Sequence, residues 1–222
     1  MPGIGRNFYR QQFSKLFLLF VMIFGFLTTA MADDENFESR PNLMWLSSDT
    51  SVSVFGDSEY DSFLGKGEFW TNNWGVTANL LQNTDNDVFG LPKDSEYFNL
   101  DIKRRFGDTD TYNFELGLGW QELSIDSQFE ASGPKVSLTG RMSIFDSLQI
   151  YGLTSYFPEL EDELQNIDAT AFEFEAGLLY QPLPSVSLKA GYRHFSLDLE
   201  NDPILEELGS NTGFLLGTDW SW

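Results

Sequence analysis

The sequence predicts an all-β fold, an antiparallel up-and-down transmembrane β-barrel of about ten strands, with eight as the alternative. Two observations carry this. Apolar and polar side chains alternate with a period of two in segment after segment, and the connections between those segments alternate in length. A third observation excludes the rival architecture: past residue 32 no apolar run approaches the roughly 20 residues a membrane-crossing helix needs.

The chain opens with a segment unlike the rest. Arg6, Arg10 and Lys15 are its only charged side chains, Leu16 to Leu27 is apolar throughout, and Ala30-Met31-Ala32 has small residues at its first and third positions. These are the three parts of a secretory signal peptide. Its apolar core of 12 residues is too short to anchor the chain as a helix across ~30 Å of hydrocarbon. Residues 1–32 are therefore expected to be cleaved, 33–47 to form an N-terminal periplasmic segment, and 48–222 to form the barrel. Removing the signal leaves 10 Lys and Arg against 34 Asp and Glu. So acidic a protein has no basic face with which to grip nucleic-acid phosphates. Cysteine is absent, which removes disulfides, thiol catalysis and cysteine-held metals.

Strands are expected near 48–56, 62–70, 74–82, 95–106, 111–122, 134–144, 147–157, 169–181, 185–198 and 211–222. The segment Tyr112 to Gln121 shows why. One face carries Tyr112, Phe114, Leu116, Leu118 and Trp120, and the other Asn113, Glu115, Gly117, Gly119 and Gln121. Successive strand side chains point to opposite faces, so this segment is apolar on one side and polar on the other. Likewise Phe172, Phe174, Ala176, Leu178 and Tyr180 oppose Glu173 and Glu175, and Val186, Leu188, Ala190 and Tyr192 oppose Lys189 and Arg193. Proline removes a ladder donor. Pro41, Pro92, Pro134, Pro158, Pro182, Pro184 and Pro203 all fall between or at the edges of strands so placed. Counting back from the C-terminus, long connections (Leu199 to Ser210, Pro158 to Asp168, Leu123 to Gly133, Asn83 to Asp94) alternate with short turns. That is the rhythm of short periplasmic turns and longer surface loops.

Turning every polar face inward places Lys66, Lys103, Arg105, Lys135, Arg141, Lys189 and Arg193 in the lumen with Glu68, Asp101, Glu115, Glu173, Glu175 and Asp219. Charges in a confined interior must be paired or hydrated. A barrel of eight to ten strands is narrow enough for such pairs to fill it. A closed, salt-bridged lumen is expected, leaving at most a very narrow pore.

The final residues carry a resemblance. Gly217-Thr218-Asp219-Trp220-Ser221-Trp222 resembles the C-terminal recognition signal of bacterial outer-membrane proteins, in which a glycine precedes an aromatic–any–aromatic terminus. Gly217, Trp220 and Trp222 match it. The organisation as a whole resembles the OmpA-like class of small outer-membrane barrels. The resemblance implies residence in the bacterial outer membrane, the barrel-insertion machinery and outer-membrane lipid including lipopolysaccharide as partners, and a monomer.

Enzyme chemistry has little to work with. His194 is the single histidine, so multi-histidine metal sites are excluded; no cofactor and no metal site is expected. The acidic groups Glu159, Glu161, Asp162 and Glu163, and Glu200, Asp202, Glu206 and Glu207, lack EF-hand spacing and suit solvated loops, or loose divalent-cation bridging to lipopolysaccharide phosphates. His194-Phe195-Ser196 sets a base and a hydroxyl on one side of a strand near its outer end. It resembles the His-x-Ser run of outer-membrane lipid A deacylases, which implies Glu206 or Glu207 as the orienting carboxylate. The expected function is a non-enzymatic structural, surface-interaction or narrow-pore barrel, with a lipid-modifying hydrolase using His194 and Ser196 as the alternative.

Overall fold

The computed structural model describes residues 37–52, 56–83, 95–107, 111–125, 129–162, 167–199 and 209–220. The expected signal segment and Trp222 lie outside them. The described residues form ten strands: β1 Phe37–Val52, β2 Gly56–Thr71, β3 Trp74–Asn83, β4 Ser95–Phe106, β5 Tyr112–Ile125, β6 Phe129–Phe145, β7 Leu148–Asp162, β8 Ile167–Leu183, β9 Val186–Leu199 and β10 Gly209–Trp220. Each pairs antiparallel with its neighbours in chain order. The ring closes where β1 meets β10, from Asn42 opposite Asp219 to Val52 opposite Gly209. Ten strands, not eight, make the barrel.

Seven of the ten strands begin within two residues of their expected positions, β2 and β6 begin six and five residues early, and β1 departs furthest. It starts at Phe37 rather than at 48, so most of the segment assigned to a periplasmic tail is barrel wall. Pro41 explains the shortfall: it weakens the strand signal, yet it stands just before the first β1–β10 pair at Asn42, beyond the ladder on that side. Three other prolines correct the expectation that proline would avoid the strands. Pro134, Pro158 and Pro182 lie within β6, β7 and β8. Each sits in a register shift, between Ser132 and Val136, between Phe157 and Leu160, and between Tyr180 and Leu183. A bulge already leaves a residue unpaired, so proline costs no ladder bond there. Gly133 makes the first of these possible, because a Cβ in its place would lie 1.8 Å from the Glu159 carbonyl oxygen. As the strands run on, the loops Leu123 to Gly133 and Pro158 to Asp168 contract to 126–128 and 163–166.

One rim carries the short links 72–73, 107–111, 146–147 and 184–185. Asn72 (φ 53°) and Gly107 (φ 95°) supply the left-handed positions these reversals require. Above that rim the outer wall is an apolar belt, with Ile102, Leu116, Leu118, Leu138, Leu188 and Leu216 all 46 % or more exposed. Tyr112, Trp74, Trp120, Tyr156 and Tyr180 stand among them. So much exposed apolar surface suits hydrocarbon, not water.

Near the opposite rim the phase inverts. In β9 Phe195 and Leu197 turn inward while His194, Ser196 and Asp198 turn outward; in β5 Leu123 turns inward beside an exposed Glu122. β7 and β8 do the same, with Leu160 between exposed Glu159 and Glu161, and Ala169 beside exposed Asp168. Seven strands have 14 to 17 residues, beyond the roughly 9–11 that cross a bilayer. The upper wall therefore extends past the belt with the polarity of a water-soluble barrel.

Placing a charge in the belt tests its identity. Leu118→Arg, further into the belt, is expected to destabilise the barrel by about 2–4 kcal/mol near mid-bilayer, measured by denaturant unfolding in lipid vesicles. An unchanged unfolding midpoint would contradict the assignment of this face to lipid.

Candidate functional site

The lumen is concave and chemically dense, and it is stratified. Its lower part, toward the tight turns, is ionic. Glu38 binds Arg40 and accepts a 3.1 Å bond from Arg105 Nη1. Arg105 and Lys103 share Glu115, each at 3.7 Å, and Lys103 Nζ donates to Thr139 Oγ1 at 3.5 Å. Glu68 pairs with Lys66 and, at 3.6 Å, with Arg141. Trp70 lies at the foot of this network; its Nε1 donates to Glu68 (3.3 Å) and its ring lies 4.0 Å beneath the Arg105 guanidinium. Lys189–Glu175, at 2.5 Å, lines the same cavity as Glu68 and Arg141, and higher up are Lys135–Asp101 at 3.1 Å and Arg193–Glu173 at 2.7 Å. Tyr97 Oη donates to Glu173 at 3.2 Å, and Asn99 Nδ2 donates to that same phenol oxygen at 2.5 Å.

Every luminal cation expected from the sequence thus meets a carboxylate. Asp219 also faces the lumen; it lines a cavity with Arg40, Glu68, Arg141, Tyr151 and Glu175 and has no ion pair among the described residues. Glu38 and Arg40 join the network without having been expected, because their strand was assigned to a tail. Gln121, Asn113 and Ser137 are buried with polar atoms that have no protein partner, so this stratum is polar enough to take water.

Glycine on the polar face makes room for the long ionic chains to lie along the wall. A Cβ at Gly117 would meet Ser137 Oγ at 2.3 Å and Lys103 Cγ at 3.1 Å; at Gly119 it would meet Asp101 Oδ1 at 2.2 Å.

Above the ionic stratum the lumen is apolar. Phe157, Leu160, Leu123, Ala131, Ala169, Ala171, Leu197 and Tyr97 form one cluster, with Leu81 and Phe195 against it. Met44, Leu46, Leu64 and Leu215 form a second, joined through the same Leu81. Phe157 and Leu160 have no exposed surface. Together they make a septum across the barrel near the long-loop rim. Sequence reasoning missed it, although the phase inversion in Arg193-His194-Phe195-Ser196-Leu197-Asp198 was its signal.

His194 and Ser196 face outward, not into the lumen. The His194 Nδ1 hydrogen bond is to Thr212 Oγ1 on β10, at 2.7 Å. Glu206 and Glu207 lie outside the described residues, as do Glu163, Glu200 and Asp202. No group of three or more His, Asp or Glu is arranged to hold a metal ion among the described residues. Gly217 faces the lumen under Met44, and Trp220 is on the outer wall at the tight-turn rim.

No family model matches the sequence, and the comparison with characterised proteins finds no match. Solved structures do match. The outer membrane protease OmpT of Escherichia coli aligns over 86 % of this chain and 98 % of its own, at 12 % identity and a TM-score of 0.55. The fold is that of an outer-membrane β-barrel. Neisserial surface protein A is 11 % identical over 84 % of this chain and 97 % of its own (TM-score 0.44), and the attachment invasion locus protein Ail of Yersinia pestis is 15 % identical over 83 % and 98 % (TM-score 0.39).

The Lys135–Asp101 pair isolates the energetics of the ionic stratum, since both side chains are buried. Asp101→Asn strands the ammonium and is expected to cost about 3 kcal/mol, whereas Asp101→Leu with Lys135→Met is expected to be neutral or mildly stabilising. Equilibrium unfolding in detergent of the parent protein and of both variants checks these values.

Proposed function

We propose that the protein is a sealed integral barrel of the bacterial outer membrane that acts through its lipid-facing wall and its outer rim rather than by conducting solutes. The observation that carries this is the apolar septum. Phe157, Leu160, Leu123 and Leu197 meet side by side where a solute path would have to pass, and the ionic stratum beneath them is tied across the lumen by Arg141 of β6 to Glu68 of β2 and by Tyr97 of β4 to Glu173 of β8. A solute would have to part packed apolar side chains and then break ion pairs. The belt and the outer-membrane fold support residence in that membrane. Export by way of residues 1–32, insertion guided by Gly217, Trp220 and Trp222, and a monomer surrounded by phospholipid and lipopolysaccharide complete the proposal.

A lipid-modifying hydrolase is the second reading, favoured by one observation: His194 and Ser196 face outward together on β9, where the apolar belt gives way to the polar upper wall. The His194 bond to Thr212 equally suits an interfacial imidazole among Tyr192, Phe174 and Phe214, with its polar tip toward the headgroups.

Planar-bilayer recording of the refolded protein is expected to show no stable steps of porin size. Phe157→Ala with Leu160→Ala should introduce small, frequent openings by thinning the septum; porin-sized steps from the parent protein would overturn the sealed lumen. For the second reading, mass spectrometry of lipid A from cells expressing the parent protein or His194→Ala is expected to show identical acylation, and acyl loss that depends on His194 would establish the hydrolase instead.

A further inference from the structure

Nine lysines and arginines stand on described strands, and eight of them point into the lumen, each within 4 Å of a carboxylate: Arg40, Lys66, Lys103, Arg105, Lys135, Arg141, Lys189 and Arg193. The ninth is Arg104. It points outward from β4, three residues before the tight turn at Gly107, and no ion pair holds it among the described residues. Its neighbours are aromatic. The guanidinium carbon lies 5.4 Å from the centre of the Trp74 ring and 5.2 Å from that of Phe106, and both rings are about half exposed. Trp74 is opposite Arg104 in the β3–β4 register, and Phe106 is two residues further along the same face. The arginine is thus held from two sides against the wall, at the level where the apolar belt gives way to the turns.

An unpaired guanidinium is costly in hydrocarbon and nearly free at the interface. Ring faces stabilise the cation without neutralising it. They leave its N–H fork free to meet an acceptor from the lipid side, and a planar fork matches the two non-ester oxygens of a phosphate. The opposite rim shows the reverse charge, with Glu122, Glu159, Glu161, Asp168 and Asp198 exposed on the same outer wall.

We infer that Arg104, cradled by Trp74 and Phe106, is a binding site for the phosphate of a glycerophospholipid in the leaflet at the tight-turn rim. The inference rests on the outer-membrane placement proposed above. The site fixes one lipid at a defined place on the wall between β3 and β5, its headgroup at Arg104 and its acyl chains along Ile102, Leu116 and Leu118.

Native mass spectrometry of the protein purified from membranes into micelles doped with phosphatidylglycerol tests it, with inorganic phosphate as a second probe. The parent protein is expected to retain one lipid. Arg104→Gln should weaken that binding roughly tenfold, the scale of losing a charge-assisted hydrogen-bonding contact, and Arg104→Lys should fall between them. Heat-modifiable gel mobility establishes that each variant is folded. Equal retention by the parent protein and Arg104→Gln would overturn the site. Displacement of the lipid by millimolar inorganic phosphate would overturn the lipid as its ligand in favour of a soluble anion. Cell fractionation separates the two proposals: recovery outside the outer membrane defeats the placement, while outer-membrane recovery with lipid binding indifferent to Arg104 defeats only this site.

Discussion

The β1–β10 seam is the interaction on which everything else depends. In hydrocarbon an unpaired backbone N–H or C=O has no water to turn to, so a sheet can cross only if it has no edge. Eleven residue pairs, Asn42–Asp219 to Val52–Gly209, remove the two edges this sheet would otherwise present. Closure then imposes the rest. A ring of ten strands encloses an interior only a few side chains wide, so whatever points inward must pack against something pointing inward from across the axis.

The interior meets that demand in two ways. Below, charged chains fold along the wall over glycines and find partners on neighbouring or facing strands, as Lys135 of β6 does with Asp101 of β4. Above, aliphatic and aromatic chains from seven or more strands pack as a core does in a soluble protein. Buried ion pairs contribute little net stability, because desolvation offsets most of the attraction. The septum supplies ordinary apolar burial at the end of the barrel where the wall leaves the membrane.

Much of this was legible in residue order. Tyr112 to Gln121 announces its two faces because the environments on either side of a membrane strand differ as sharply as hydrocarbon and charge. The thirteen luminal charges followed from that alternation alone. What failed did so for identifiable reasons. Pro41 hid β1, since proline was read as a strand boundary when it only lies beyond a ladder. Pro134, Pro158 and Pro182 sit in bulges, which have no periodic signature. The septum was hidden because alternation was taken to keep one phase along each strand. In β9 the phase changes at His194, and Phe195 and Leu197 belong to a face that carries Lys189 and Arg193 lower down. No pattern within one strand reveals that Phe157, Leu123 and Leu197 meet; that follows from closure.

The reversal of phase along the wall also fixes how deeply the barrel rides. If it rose, the leucines of its midsection would be lifted into water; if it sank, the carboxylates of its upper wall would be dragged into oil. The two penalties act in opposite directions from one boundary, as ballast and buoyancy do on a hull. The waterline is therefore written into each long strand separately, and tilting or bobbing of the whole molecule is resisted all the way round its circumference.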